Sequence, residues 1–309
     1  MKIISVLDTT ISDYNMGNQI IMDAIYDNLY DMFPEAFFYK HPYMEITKHT
    51  LDYIRQADFV FFGGTNSLCP EMEKYTQWGI DLKNAKYFKK LVLMGIGWWQ
   101  YSNKTSGYSQ KLYKKLLDNC FLHSVRDEYS KNKLNSMGYT NIINTGCPTL
   151  WNIDNSRIES AKSNKVICTL TDYNKDEIRD KKIIEMAYKN YDKVFYWLQG
   201  VGDYSYIKSL DISVKDENFI PPRIGCYNDF LERNSVDYLG TRLHGGIRAL
   251  QKGKRTFIVI VDNRAQEMKI DFDLPAFSID DLNDIIKNDY KFNIQIPHDN
   301  INKWKMQFN

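Results

Sequence analysis

The sequence has no long apolar run. None of its 309 residues lies in a stretch approaching the ~18 consecutive apolar residues that a membrane-spanning helix needs. It also lacks charge of one sign: 40 Lys and Arg stand against 39 Asp and Glu, for a net charge of +1. No long-range field therefore points to nucleic acid, and any basic patch must be local. Cysteine is sparse. Cys69, Cys120, Cys147, Cys168 and Cys226 are odd in number and form no C-x-x-C pair, which fits a reduced, intracellular chain better than a disulfide-stapled one. The five histidines, His41, His49, His123, His244 and His298, show no H-E-x-x-H or other ligand spacing, so no metal site is expected. There is no G-x-S-x-G elbow and no local Cys/His signature, and the glycine turns complete neither a G-x-G-x-x-G nor a Walker sequence. No internal repeat or low-complexity segment stands out.

What is there reads as a packed α/β protein. Hydrophobic residues make up 43% and charged residues 26%, a balance that supports a core and not wholesale disorder. The length suggests two domains of ordinary size. The opening "MKIISVLDTT" carries one basic residue and a short apolar run, so it reads as a strand and not a signal peptide. A cytoplasmic location follows as the expectation. Similar short runs recur at 58–67, 90–97, 121–128, 193–202 and 236–242, each ending in glycine or a small polar residue before a helical pattern. Such runs read as buried parallel strands in βαβ units. "YSKNKLNSMGY" (129–139) predicts a helix closed by Gly138, and "GIRALQKGK" (246–254) another, followed by the strand "RTFIVIVDN" (255–263). The polar stretch 152–165 holds no strand-like run and predicts a linker. A second strand set begins at "VICTL" (166–170). The expectation is two α/β halves, residues 1–155 and 165–309, with ligands at the carboxyl ends of the strands and in the cleft between the halves. The tail "INKWKMQFN" is expected to form a helix packing back on the first half.

One stretch concentrates chemistry. "GTRLHGGIRAL" (240–250) places Arg242, Leu243 and His244 between a strand and a helix. A helix N-terminus offers unpaired N–H groups and a positive dipole end, suited to phosphate or carboxylate. Gly245 and Gly246 would admit a ligand close to the backbone, Arg242 would pair with the same anion, and His244 would move a proton. The helix end disfavours imidazolium there, while a bound anion favours it. Equally, His244 could cap the helix and the arginines could be surface charges. Arg126, at the end of "SVR", reads either as a second anion clamp or as an ion-pair partner, with Asp127 capping the next helix. In "NMGNQI" (15–20), Asn15, Gly17 and Asn18 could present donors to a ligand or simply cap a helix. "GGTNSL" contributes Gly64 and Thr65 to a glycine turn. In "GWWQY" (97–101), Trp98 and Trp99 could stack on a sugar, although such pairs more often belong to a core or an interdomain contact.

Together these motifs resemble the polysaccharide pyruvyl transferase family. "GTRLHGGIRALQKGKRTFIVIVDNR" is similar to the family's R-L-H-G block, its helix with an A-x-x-x-G ending, its apolar strand and its aspartate near a basic residue. "SVRDEYS" resembles its S-x-R-D-x-x-S, and "NMGNQII", "GGTNSL", "GIG" and "TGCPTLW" fall in the family's order. Three positions depart from the pattern: Asn18 and Thr149 stand where aspartate is usual, and Thr65 where a third glycine is usual.

The resemblance implies a GT-B-like fold of two Rossmann-like domains facing across a cleft. It also implies transfer of a pyruvyl group from phosphoenolpyruvate to two hydroxyls of a cell-surface polysaccharide or exopolysaccharide precursor, giving a cyclic ketal and phosphate. His244 and Arg242 would be catalytic. Arg126, Arg242, Leu243, Gly245 and Arg264 would hold the donor, Arg264 standing where lysine is usual. Asn15, Asn18, Gly64, Thr65, Trp98 and Trp99 are the candidates for the acceptor, a sugar or a lipid-linked oligosaccharide. No metal or other cofactor is implied beyond the co-substrate. Peripheral association with the inner face of the membrane would suit such an acceptor. Two alternatives are a GT-B-type glycosyltransferase using a nucleotide sugar, and a non-catalytic sugar-binding homologue.

Overall fold

The structure, a computed structural model, describes residues 1–210 and 213–308. In chain order the elements are β1 (Ile3–Asp8), α1 (Met16–Met32), β2 (Phe37–Pro42), α2 (Lys48–Gln56), β3 (Phe59–Gly63), β4 (Leu91–Met94), α3 (Gly107–Leu117), β5 (His123–Val125), α4 (Glu128–Asn135) and β6 (Ile142–Asn144). There follow β7 (Lys165–Thr169), α5 (Glu177–Asn190), β8 (Lys193–Trp197), α6 (Asp203–Leu210), β9 (Phe219–Ile220), α7 (Ile224–Arg233), β10 (Asp237–Gly240), α8 (Leu243–Gln251), β11 (Thr256–Val259), α9 (Asn263–Phe272), β12 (Ala276–Phe277), α10 (Ile279–Ile285) and α11 (His298–Met306).

The chain forms two compact units. The first comprises Met1–Asp13, Ile21–Trp151 and Ile296–Asn309, the second Tyr14–Ile20 and Asn152–Gln295. In the first, parallel strands run in the order β2-β1-β3-β4, with a parallel β5-β6 pair. A parallel bridge from Ile96 to Val125 joins β5 to the chain just past β4. Strands covered on both faces need apolar residues at every position, and β3 shows it. Val60 and Phe62 enter a core with Trp78, Trp98 and Tyr113, while Phe61 enters another with Trp304 and Phe308.

In the second unit six parallel strands run β12-β11-β10-β7-β8-β9. The chain lays down β7, β8 and β9 outward, then returns to the other side of β7 for β10, β11 and β12. This is the doubly-wound order, and its reversal falls between β7 and β10, where such sheets bind ligands at their carboxyl ends.

Two local expectations differ from the structure and a third agrees with it. The 152–165 stretch is not a free linker. Asn155 exchanges hydrogen bonds with the Ile294 backbone, at 2.9 Å each way, and the Glu159 N–H donates to the Gly253 carbonyl. The tail does as expected: its helix lies on the first half, with Trp304 and Phe308 packed on Phe61. Residues 14–20 belong with the second unit, because the Met16 N–H donates to the Gln199 carbonyl at 2.8 Å and Asn15 bridges to Gly200.

His123, at the start of β5, is wholly buried. Its Nδ1 accepts the Leu93 N–H at 3.2 Å, so its Nε2 carries the hydrogen and faces the Asn119 side-chain oxygen at 3.1 Å. Burial pushes its pKa from 6.5 down to about 3. Between those values the unfolded chain binds a proton that the folded chain refuses, so stability present at neutral pH is lost as pH falls below 6.5. Between pH 6.5 and pH 5 the loss should be roughly 2 kcal/mol. Denaturant unfolding across that range should show this slope, and His123→Gln should flatten it.

Candidate functional site

The second unit gathers side chains at the carboxyl edge of its sheet. Arg242 follows β10 and is the N-cap residue of α8. It is 2% exposed. Its guanidinium meets two carboxylates. Nε donates to Asp203 at 3.2 Å, Nη2 donates to the same carboxylate, and Nη2 also donates to Asp172 at 2.8 Å. Asp203 does a second job: it accepts the N–H groups of Gln199 and Gly200 at 3.1 and 2.8 Å and so shapes the turn after β8. Burial pushes the Asp203 carboxyl pKa up, against the opposing pull of Arg242. Gly200 has no side chain for a steric reason, since a Cβ there would strike the Arg242 guanidinium. The Arg242 carbonyl accepts from the Tyr238 hydroxyl at 2.6 Å, which fixes the strand-to-helix junction. Arg242 thus stands at the strand-order reversal with its cation already paired.

The helix begins at Leu243, earlier than the 246–254 pattern predicts. The Gly246 N–H makes an early intrahelical bond, to the Arg242 carbonyl at 3.1 Å. The N–H groups of Leu243, His244 and Gly245 precede it and point out of the helix end. His244 lies in this first turn, 5% exposed. The glycines after it differ from the expectation of ligand access. A Cβ on Gly245 would sit 3.1 Å from both the Gln199 oxygen and the Tyr238 hydroxyl, and one on Gly246 would press into Ile258. Their smallness lets the helix pack on the sheet. Arg264, after β11, is held by Asp262 and by the Tyr173 hydroxyl. The Tyr173 ring lies 5.2 Å from the Arg242 guanidinium carbon and 5.4 Å from that of Arg264.

Asn15 and Asn18 were expected on the acceptor side, with the first half of the chain. The structure puts both in the second unit. The Asn15 side-chain oxygen accepts from the Gly17 N–H at 2.9 Å and from Gln199 Nε2 at 3.0 Å. Its helix-capping role is therefore combined with contact to the turn beside Arg242. Gln199 is 4% exposed, and its Oε1 has no hydrogen-bond partner.

The first unit carries a second buried arginine. Arg126 follows β5, is 0% exposed, and donates to the Asn66 side chain at 2.6 Å and to Asp127 at 3.2 Å. Asp127 also caps α4 by accepting the Ser130 N–H at 2.7 Å. Gly97 is to Arg126 what Gly200 is to Arg242, since a Cβ would run into the guanidinium. Thr65 and Gly64 lie nearby in the chain. The Thr65 carbonyl accepts the Gly97 N–H at 2.8 Å, and Gly64 takes a positive φ of 70° against Ile21. Trp98 does not offer a stacking face: it is fully buried in the core, packed near Tyr113. Trp99 is half-buried and stacks on exposed Tyr75 at 4.2 Å.

Sequence reading missed Asp172, Tyr173, Gln199 and Asp203. The turns after β7 and β8 carry all four, and only the strand endings could have flagged them. Among the described residues, no group of three or more His, Cys, Asp or Glu is placed to hold a metal ion, and no helix is long and apolar enough to cross a membrane.

Two units of parallel α/β structure, with ligand-type side chains at a strand-order reversal, define a GT-B-like protein. A solved structure agrees. UDP-GlcNAc 2-epimerase of Methanocaldococcus jannaschii, crystallised with UDP-GlcNAc and UDP, is similar over 96% of this chain and 95% of its own, at 12% identity and a TM-score of 0.51. At that identity the likeness speaks for the fold alone. The chain belongs to the polysaccharide pyruvyl transferase family, whose model matches residues 15–263. No curated protein matches the sequence.

Two stability predictions follow from the buried guanidinium groups. Removing one partner of a buried pair leaves an uncompensated charge, so Arg242→Ala should cost about 3–5 kcal/mol. Asp203→Ala added to it should cost far less than the sum of the single changes, a coupling measurable by denaturant unfolding. Gly97→Ala should cost about 1–3 kcal/mol through overpacking against Arg126. Gly107→Ala, where a Cβ meets nothing within 4 Å, is the control and should show no such loss.

Proposed function

We propose that the protein transfers the pyruvyl group of phosphoenolpyruvate to two hydroxyls of a sugar in a cell-surface polysaccharide precursor, forming a cyclic ketal and releasing phosphate. The observation that carries the reading is Arg242 and the first turn of α8 meeting at the reversal between β7 and β10, in a chain of the pyruvyl transferase family. Helix-end N–H groups of Leu243 and Gly245 favour an anion. Arg242 and Arg264 add the cations for the donor's phosphate and carboxylate.

His244 gives a proton to the donor's methylene carbon, which becomes the methyl group. The second carbon then carries oxocarbenium character, and a sugar hydroxyl attacks it and passes its proton to His244, which regains the one it gave. Phosphate leaves, a second hydroxyl closes the ring, and its proton passes to the phosphate. Positioned acid catalysis of this kind contributes typically ~10²–10⁴-fold, and fixed cations stabilise phosphate as it departs. Trp99, stacked on Tyr75, is the aromatic surface we assign to the acceptor sugar, in place of Trp98.

His244→Ala should lower ketal formation by ~10²–10⁴-fold while phosphoenolpyruvate binding, read by calorimetry, changes only a few-fold. Unchanged turnover in this variant would overturn the reading. Arg242→Lys, which keeps the charge beside Asp203, is the better probe of donor binding than Arg242→Ala and should weaken it.

A further inference from the structure

The loop after β7 occupies both arginines that the donor needs. Asp172 Oδ1 accepts from Arg242 at 2.8 Å, and Oδ2 accepts the Gly202 N–H at 3.1 Å. Tyr173 lays its ring against the Arg242 and Arg264 guanidinium groups and takes a hydrogen bond from Arg264. Asn174 Nδ2 then donates to the Val261 carbonyl at 2.6 Å. Residues 172–174 thus form a strap from the end of β7 to the turn after β11.

Charge and exposure say which part of this arrangement can give way. Two guanidinium groups, Arg242 and Arg264, face three carboxylates, Asp172, Asp203 and Asp262. These side chains alone offer an incoming anion no net attraction unless one carboxylate withdraws. Asp203 has a 0% exposed side chain and holds the 199–200 turn, and Asp262 caps α9 through the Arg264 N–H. Asp172 has a 29% exposed side chain, and Tyr173 is 54% exposed. The strap is the most exposed of these parts: its withdrawal frees the Gly202 N–H and opens Arg242 to the incoming ligand, but leaves the Asp203 pair, the 199–200 turn and the α9 cap in place.

We propose that Asp172 is an internal competitor for the donor, standing on Arg242 where an anionic group of the ligand must go, and that the 172–174 strap leaves both arginines when a ligand carrying carboxylate and phosphate together arrives. Asp172 is then a specificity residue. An anion with a single group repays little of the lost contacts, whereas one that engages Arg242 and Arg264 together replaces them. The proposal rests on the donor reading above, and its test separates the two.

Phosphoenolpyruvate and inorganic phosphate are titrated calorimetrically into the wild type, Asp172→Asn and Tyr173→Ala, with thermal unfolding to confirm that each variant is folded. Asp172→Asn should bind phosphoenolpyruvate about tenfold more tightly, the scale on which one like charge at close range disfavours an anion. Its preference over phosphate should narrow, and Tyr173→Ala should shift affinity in the same direction. Tighter phosphate binding by Asp172→Asn, with no phosphoenolpyruvate binding by any form, would keep the strap and sink the donor reading. Equal or weaker phosphoenolpyruvate binding by Asp172→Asn would overturn the strap and leave the donor reading standing. No binding of either anion by any form would overturn both.

Discussion

A guanidinium buried just past the end of β10 is tolerated only if the protein supplies what water would have given it. The desolvation penalty for such an ion is several kcal/mol even after relaxation. Arg242 meets it with the Asp203 carboxylate, and the rest of the edge follows from that pair. Asp203 opens α6 and takes the Gln199 and Gly200 N–H groups, so the turn after β8 is set by the same carboxylate that neutralises Arg242. Gly200 must lack a side chain to leave the guanidinium its place. Gln199, held in that turn, reaches Asn15 and so fixes the chain entering α1. One ion pair therefore positions residues from four parts of the sequence.

The first unit solves the same problem in the same way. Arg126 also follows a short buried strand, pairs with an aspartate that has a helix to cap, and lies against a glycine from the turn after a neighbouring strand. In both units the carboxylate is shared between a cation and backbone N–H groups. Neither arginine can therefore turn away without releasing a backbone turn or a helix end as well. Groups fixed in this way need no reorganisation when charge develops beside them, the condition under which electrostatic stabilisation is most effective. The arrangement also has a cost for binding: a cation that is well paired in the empty protein is less available to a ligand.

The strand set and the chemistry-bearing junctions were legible because both are local. Val, Ile and Phe runs that end in glycine mark strands buried on two faces, and the Arg-Leu-His-Gly block sits beside one of them. The ion pairs were not legible. Asp172 and Asp203 lie 70 and 39 residues from Arg242 in sequence, and nothing in the spacing of a single aspartate reveals a partner so far along the chain. The two-residue strands β9 and β12 are too short to show a period. Asn15 was assigned by its neighbours in sequence to the wrong unit, because hydrogen bonds to Gln199 and Gly200, not chain order, decide where it packs. Trp98 and Trp99 are adjacent and chemically alike. Only the alternation of a chain leaving a strand sends one into the core and the other toward Tyr75.

That correction changes what the departures from the family pattern mean. Asn18 and Thr149 both stand where an aspartate is usual in the family the sequence resembles, yet their surroundings have little in common. Thr149 is fully buried in a short turn after β6. A carboxylate there would need a cation or a proton, whereas a threonine hydroxyl needs only a hydrogen-bond partner. It bonds to Cys147, whose thiol pKa burial pushes up while hydrogen bonds with Thr149 and then the charge of Arg126 pull it down. Asn18 is half-buried on the unit that carries Arg242 and His244. Exchanging aspartate for asparagine there removes a negative charge from a unit whose strand-end arginines already face more carboxylates than they can balance. Asn18 therefore belongs, by its packing, with the charges of the second unit.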